Sequence, residues 1–323
     1  VPTPVPTPAP TPASTPDTFC AGGTLAGSTD WQQYGSSGIY VDVDTSVCGF
    51  TEVPVYVTSM GGTSSHWMST GSSEIYSPTA TGFRIYVKLE GITAALANER
   101  GYYINWVADR GGDVASTGSC SGSGSAWQRY NANGIVSSVD TSGCGFQTTP
   151  VYVTSMTGTS SHWISTGSSE VYSPSATGFQ NYIHMSSGIT PEQATSMGWE
   201  INWVAHDPTH NFEKACSGST PVGATAWEVY SENGISLRVD TSACGFKVKP
   251  VFVTSLAGSS SHWQSSGSSE LYEEDATGFR VYIHTSGITP TQANEWGWHL
   301  HWIAVETTAP APTPAPTPVP TPV

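Results

Sequence analysis

The chain is poor in charge. Asp, Glu, Lys and Arg make up 11% of its 323 residues, against about 25% in an average soluble protein. Cations are the scarcest: ten Lys and Arg leave a formal net charge of −15. Phosphate backbones and anionic lipid are held by clustered cations. None cluster here, so nucleic acid and membrane surfaces are not expected partners. No apolar run approaches the roughly 20 residues of a membrane span. Cys-X-X-Cys is absent, which argues against zinc and dithiol redox chemistry. So is the Gly-X-Ser-X-Gly elbow of serine hydrolases. No Asn-X-Ser/Thr sequon occurs, so any attached sugar would be O-linked. With so little charge, Ser, Thr, Gly and Asn must dress the surface, as suits a secreted protein.

What the chain has is a repeat. Cys48-Gly49-Phe50 returns as Cys144-Gly145-Phe146 and Cys244-Gly245-Phe246, offsets of 96 and 100 residues. His66-Trp67 returns at the same offsets as His162-Trp163 and His262-Trp263, and Thr81-Gly82-Phe83 as Thr177-Gly178-Phe179 and Thr277-Gly278-Phe279. A period near 100 is too long for a solenoid unit, so each copy is expected to be a domain with its own core. The boundaries fall at 17–109, 116–206 and 213–306, with short joints between them.

Residues 1–16 and 309–323 are different material, alternating Pro with Thr, Val or Ala. Proline at every second position removes amide donors and fixes φ, which favours semi-rigid polyproline II. Thr3, Thr7, Thr11, Thr15, Thr313, Thr317 and Thr321 stand clear of such a backbone and are candidate O-glycosylation sites. The chain starts at Val1 and stops at Val323 inside these tracts, as expected of a mature product or a piece of a longer modular chain.

Within a repeat, period-two alternation predicts strands. Ile39, Val41 and Val43 share one face, as do Phe83, Ile85 and Val87; Val55–Met60 and Tyr103–Ala108 complete the pattern. Thr190-Pro191 and Thr289-Pro290 look like helix N-termini, stopped by Gly198 and Gly297. About six strands and one helical turn predict an all-β fold: three tandem six-stranded antiparallel β-sandwiches between polyproline stalks. Each repeat holds two cysteines: Cys20 and Cys48, Cys120 and Cys144, Cys216 and Cys244. A repeated fold should repeat its bonds, so pairing within repeats is expected, in an oxidising compartment outside the cell.

Pro54-Val55-Tyr56-Val57-Thr58-Ser59-Met60, Tyr76-Ser77-Pro78 with Thr81-Gly82-Phe83, and Ile104-Asn105-Trp106-Val107-Ala108 resemble the H-type lectins. The resemblance implies a six-stranded antiparallel sandwich that trimerises, and binding of N-acetylgalactosamine or related sugars. The family's sugar contacts, an Arg shortly before the Tyr matched by Tyr76 and a Trp-His pair beyond the following strand, are replaced here by Thr70–Glu74 and Leu89-Glu90-Gly91. The fold carries over, and that sugar specificity does not.

The repeated Ser-His-Trp is the candidate carbohydrate site: His66, Trp67, His162, Trp163, His262 and Trp263. Trp stacks on sugar rings while His and Ser meet hydroxyls; the competing reading is a Trp plugging one end of the sandwich, its His bonded to a loop carbonyl. Tyr86, Tyr182 and Tyr282, beside Lys88, His184 and His284, form a polar-aromatic face that reads first as an ordinary solvated sheet face with cross-strand pairs, the competing reading being a surface for glycan or for a neighbouring domain. Glu74, Glu170 and Glu270 recur, as do Asp44, Asp140 and Asp240. Glycoside hydrolysis needs two carboxylates in a cleft, but the Asp precedes Thr-Ser and reads as a turn former, so no catalysis is expected. Three equivalent histidines on a pseudo-threefold axis could hold a metal, and the acids could hold calcium, although no loop has alternating Asp/Asn at metal-ligand spacing; no metal or cofactor is expected. The expected function is a non-catalytic extracellular glycoprotein, a structural or adhesive block able to self-associate into matrix or fibre. The alternative is a multivalent carbohydrate-binding lectin using the Ser-His-Trp loops, its avidity coming from three linked sites.

Overall fold

The computed structural model describes residues 19–111, 118–210 and 215–307. The two proline-rich tracts, and with them the seven candidate glycosylation threonines, lie outside the described residues. The fold is all-β. Each repeat forms seven strands rather than the six expected. Repeat 1 holds β1 (Phe19–Gly23), β2 (Gln32–Tyr34), β3 (Gly38–Asp44), β4 (Val55–Gly61), β5 (Glu74–Thr79), β6 (Gly82–Lys88) and β7 (Tyr103–Asp109). Repeat 2 holds β8 (Ser119–Gly124), β9 (Trp127–Asn131), β10 (Gly134–Asp140), β11 (Val151–Gly158), β12 (Glu170–Ser175), β13 (Gly178–His184) and β14 (Glu200–His206). Repeat 3 holds β15 (Ala215–Ser219), β16 (Glu228–Ser231), β17 (Gly234–Asp240), β18 (Val251–Gly258), β19 (Glu270–Asp275), β20 (Gly278–His284) and β21 (His299–Val305). The short edge strand β2 is exposed throughout; with no buried face it carries no alternation for a sequence reading to find.

Helices α1 (Ala94–Glu99), α2 (Pro191–Ser196) and α3 (Pro290–Glu295) are each N-capped by a threonine, Thr93, Thr190 and Thr289. The cap hydroxyl accepts an otherwise orphaned amide of the first turn. Among the described residues no helix is long and apolar enough to cross a membrane.

The repeats are not strung out. They close into a ring by exchanging sheet edges. The molecule has three seven-stranded sheets, ordered β2-β3-β6-β5-β11-β14-β8, β9-β10-β13-β12-β18-β21-β15 and β16-β17-β20-β19-β4-β7-β1. Each joins four strands of one repeat to three of the next. The junctions are parallel pairings: Met156 opposite Glu74, Leu256 opposite Glu170, and Met60 opposite Glu270.

This arrangement buries β4 and β7 on both faces. Tyr56, Met60, Ile104, Trp106 and Ala108 face their own repeat's core, against Ile39, Val41, Phe83 and Ile85. The alternate residues Val57 and Val107 face the axis. There they meet Val151, Val153, Val204, Val253, Ile303 and Val305 in one cluster drawn from all three repeats. Strands buried on both sides read as unbroken apolar runs, which is why Val55-Tyr56-Val57 lacks polar alternation. Repeats 2 and 3 have matching cores.

Disulfides Cys20–Cys48, Cys120–Cys144 and Cys216–Cys244 close within repeats, tying the first strand to the turn after the third. Loops of 28, 24 and 28 residues each contribute roughly 3–4 kcal/mol by restricting the unfolded chain. In that turn Asp44, Asp140 and Asp240 each accept the amide of the serine two residues on, at 2.8 Å. They are turn formers, as the sequence indicates, and the same hydrogen bonds lower their pKa values.

Candidate functional site: the seams between repeats

The repeated polar motifs converge on the seams. His66 is fully buried and reaches out of its own repeat. Its ring stacks on Tyr272 of repeat 3, centroids 3.9 Å apart, and its Nε2–H donates to the Leu271 carbonyl at 2.9 Å. His162 does the same with Tyr76 and Ile75, and His262 with Tyr172 and Val171. Burial pushes all three imidazoles down to about 4, so they are neutral at physiological pH. The histidines therefore offer nothing to a sugar at the surface. They also do not meet on the axis, because each occupies its own seam. Among the described residues no three His, Cys, Asp or Glu side chains are placed to hold a metal ion.

The tryptophans are half-buried on the same seams rather than plugging a sandwich end. Trp67 meets Tyr230 and His284 edge to face at 5.1 and 5.0 Å; Trp163 meets Tyr34 at 5.3 Å and Trp263 meets Tyr130 at 5.2 Å. The Trp67 amide donates to Tyr272 Oη at 2.8 Å. Each indole lies flush on the backbone where the third strand of the preceding repeat around the ring begins. A Cβ on Gly38, Gly134 or Gly234 would fall 2.7, 2.1 or 2.5 Å from a Trp ring atom, so these positions admit only glycine. On the polar-aromatic face, Tyr86 meets Trp163, Tyr282 meets Trp67, and His184 meets Trp263, each indole coming from a neighbouring repeat.

On the axis below the valine cluster lies a second convergence. Glu74, Glu170 and Glu270 are almost fully buried around a cavity of about 20 Å³, lined with serines of all three repeats. One oxygen of each carboxyl accepts from a neighbouring repeat: Ser168 Oγ donates to Glu74 at 2.6 Å, Ser268 to Glu170 at 2.8 Å, and Ser72 to Glu270 at 2.6 Å. Further hydroxyl pairs, Ser73 with Ser168 and Ser169 with Ser268, complete the circle. Burial raises the carboxyls to about 8, about 8 and about 7, only partly offset by the serine hydrogen bonds. The space suits a single water and holds no sugar ring, so the two-carboxylate geometry of glycoside hydrolysis is absent from this site.

A hydroxyl layer connects the two zones. The amides of Thr58, Thr154 and Thr254 donate to Ser155, Ser255 and Ser59 of the next repeat, at 3.0, 2.9 and 3.1 Å.

An open groove lies at the seam of repeats 3 and 1. Between the loop Gly62–Ser65 with Trp67 of repeat 1, and Tyr230, Tyr272 and Tyr282 of repeat 3, lies a space of about 370 Å³. The sequence reading singled out Trp67 and Tyr282 but missed Tyr34, Tyr130 and Tyr230, and Tyr76, Tyr172 and Tyr272. It also missed the pairing role of Ser72–Glu74 and its copies. The signal was there: a Ser-Ser-Glu recurs at the turn that opens a strand in all three repeats, and the turn itself does not require the acid.

No family model, no curated protein and no solved structure matches this chain.

Proposed function

We propose that this chain is a non-catalytic extracellular building block: a self-closed head of three disulfide-stapled, sandwich-like repeats, carried on Pro/Thr tethers that bear O-linked sugar. The observation behind this reading is that the recurring polar residues point inward to the seams. His66, His162, His262 and the three glutamates each bond a neighbouring repeat. A residue pattern written three times is thereby accounted for by assembly. Disulfides in every repeat fit an oxidising compartment. The H-type lectin resemblance fits the same picture, with one chain supplying what a trimer would supply with three.

The groove beside Trp67 favours a second reading, a multivalent lectin, since half-buried aromatic rings stack on pyranose faces. A glycan array on the monomeric protein separates the two. Silence, with mass heterogeneity confined to residues 1–18 and 308–323, is the expected result. Saturable binding that is lost when Tyr34, Tyr130 and Tyr230 are changed to Ser would replace the structural reading with the lectin.

A further inference from the structure

We propose that the aromatic groove at the seam of repeats 3 and 1 docks a Pro/Thr segment of a second copy of this chain, joining head to tether from molecule to molecule. The proposal rests on the structural reading above and supplies its self-association step.

The walls of the groove have the chemistry that holds polyproline. Trp67, Tyr230 and Tyr282 line it, and Tyr272 closes one side. Proline-rich segments dock in grooves of this composition, because their rings present apolar faces and their backbone is ordered before binding. The backbone carbonyls of such a segment have no intrachain donors and look outward. Tyr230 is 52% exposed at the rim, where its hydroxyl can meet them. The volume, about 370 Å³, lies within the range of small-ligand sites and suits a short extended stretch. Charge points the same way. The chain carries −15, whereas residues 1–16 and 309–323 contain no Asp, Glu, Lys or Arg, so docking them brings no like charge to the head.

The placement of the ends selects a second copy over the same one. Phe19 and Val305, where the described chain begins and ends beside the tracts, both pack into the axial valine cluster next to Val55, the first residue of β4. Gly62–Ser65 and Trp67 follow the other end of β4. The tracts thus join the head at the end remote from the groove. At about 3.1 Å per residue in polyproline II, sixteen residues reach about 50 Å. A semi-rigid segment of that length attached at that end could reach a second molecule's groove. Trp163 with Tyr34 and Tyr86, and Trp263 with Tyr130, repeat the ring contacts at the other seams.

The test uses the full chain at a concentration where it is monomeric. The probe is the unmodified synthetic peptide of residues 1–12, followed by tryptophan fluorescence. A saturable change is expected, together with a loss of about tenfold in affinity for the triple variant Tyr34→Ser, Tyr130→Ser, Tyr230→Ser. These tyrosines are 46%, 52% and 52% exposed, and the variant's unfolding transition is recorded to show that it folds. The peptide with every Pro changed to Ala should not bind. Sedimentation of the full chain should show self-association that the triple variant loses. No saturable response, equal binding of the Ala peptide, or undiminished binding by the folded triple variant would each overturn the docking. A positive glycan array with the peptide response intact would sink the structural reading and leave the docking standing; silence in both would do the reverse.

Discussion

The seams joining repeats 1 to 2 and 2 to 3 are bridged by the chain itself, whereas the seam between repeats 3 and 1, which closes the ring, has no such linker. The two kinds are built differently. At the linked seams the parallel junction registers three residue pairs; at the closing seam it registers two. The closing seam also carries a buried polar network that, among the described residues, the other seams match only in part. Glu274 stands where repeats 1 and 2 have Pro78 and Pro174. Its buried carboxyl contacts Tyr103 Oη and accepts from Asn105 Nδ2 at 2.9 Å, while Lys249 Nζ, 3.9 Å from Glu274, donates to Tyr103 at 2.7 Å. The residues at Lys249's place in repeats 1 and 2 are Val53 and Thr149. The equivalents of Asn105 are Asn202, which donates to the Tyr56 carbonyl, and His301, against Tyr152. The seam without covalent help thus carries an acid and a lysine that the other seams lack at those places, a difference that favours this pairing over the alternatives.

The largest expected effect belongs to what all seams share. Changing Glu74, Glu170 and Glu270 together to Gln should flatten the stability profile on its alkaline side. The carboxyls have an ordinary value of 4.5 and are raised by burial to about 8, about 8 and about 7 in the fold. A raised folded-state value means that their contribution is whole below 4.5 and declines as pH climbs to about 8. The ceiling on that decline is about 1.4 kcal/mol per pH unit per carboxyl. Asp109, raised to about 6, leaves a smaller residual slope. The histidines act with the opposite sign: their values fall from 6.5 to about 4, so stability declines as pH drops through that window in wild type and variant alike. Denaturant melts at half-unit pH steps would show it; an unchanged alkaline slope in the Gln variant would remove the carboxyls from the seams' energetics.

Next in size, and specific to the closing seam, Glu274→Ala should cost about 2–4 kcal/mol, because it strands buried Tyr103 and Asn105 groups. Pro174→Ala at the matching place should cost under about 1 kcal/mol. Equal losses in chemical denaturation would erase the distinction between the seams. Smaller again, Ser72→Ala, Ser168→Ala and Ser268→Ala each remove one donor to a buried carboxyl, about 1–2 kcal/mol apiece. Similar values across the three would show that the axial circle ignores which seam is linked. Smallest, Glu273→Ser should change stability by no more than about 0.5 kcal/mol, since its ion pair with Arg280 is solvent-exposed. A larger loss would mean that the rim of the groove also holds the closing seam.

The strands with one wet face, β3 and β6, could be read from alternation alone, and the threonine caps and Asp turns from their local chemistry. The doubly buried β4 and β7 could be placed as strands, but nothing in Val55-Tyr56-Val57 says that Val57 meets residues a hundred positions away. His66 and Glu74 show the same limit from the polar side. A repeated His-Trp fits a ligand site as well as a seam, and a repeated Glu fits catalysis as well as a buried circle. Their partners, Leu271 and Ser168, are distant in sequence and become neighbours only when the sheets join.

By itself the sequence determined the threefold repetition, the β character of each copy and the cysteines available to staple it, because period and alternation are local properties of a chain. The tertiary structure alone decided that the copies close on one another, and so which polar residues face neighbours and which face water. Edge pairing and burial are properties of surfaces meeting, and no single repeat encodes its partner's position.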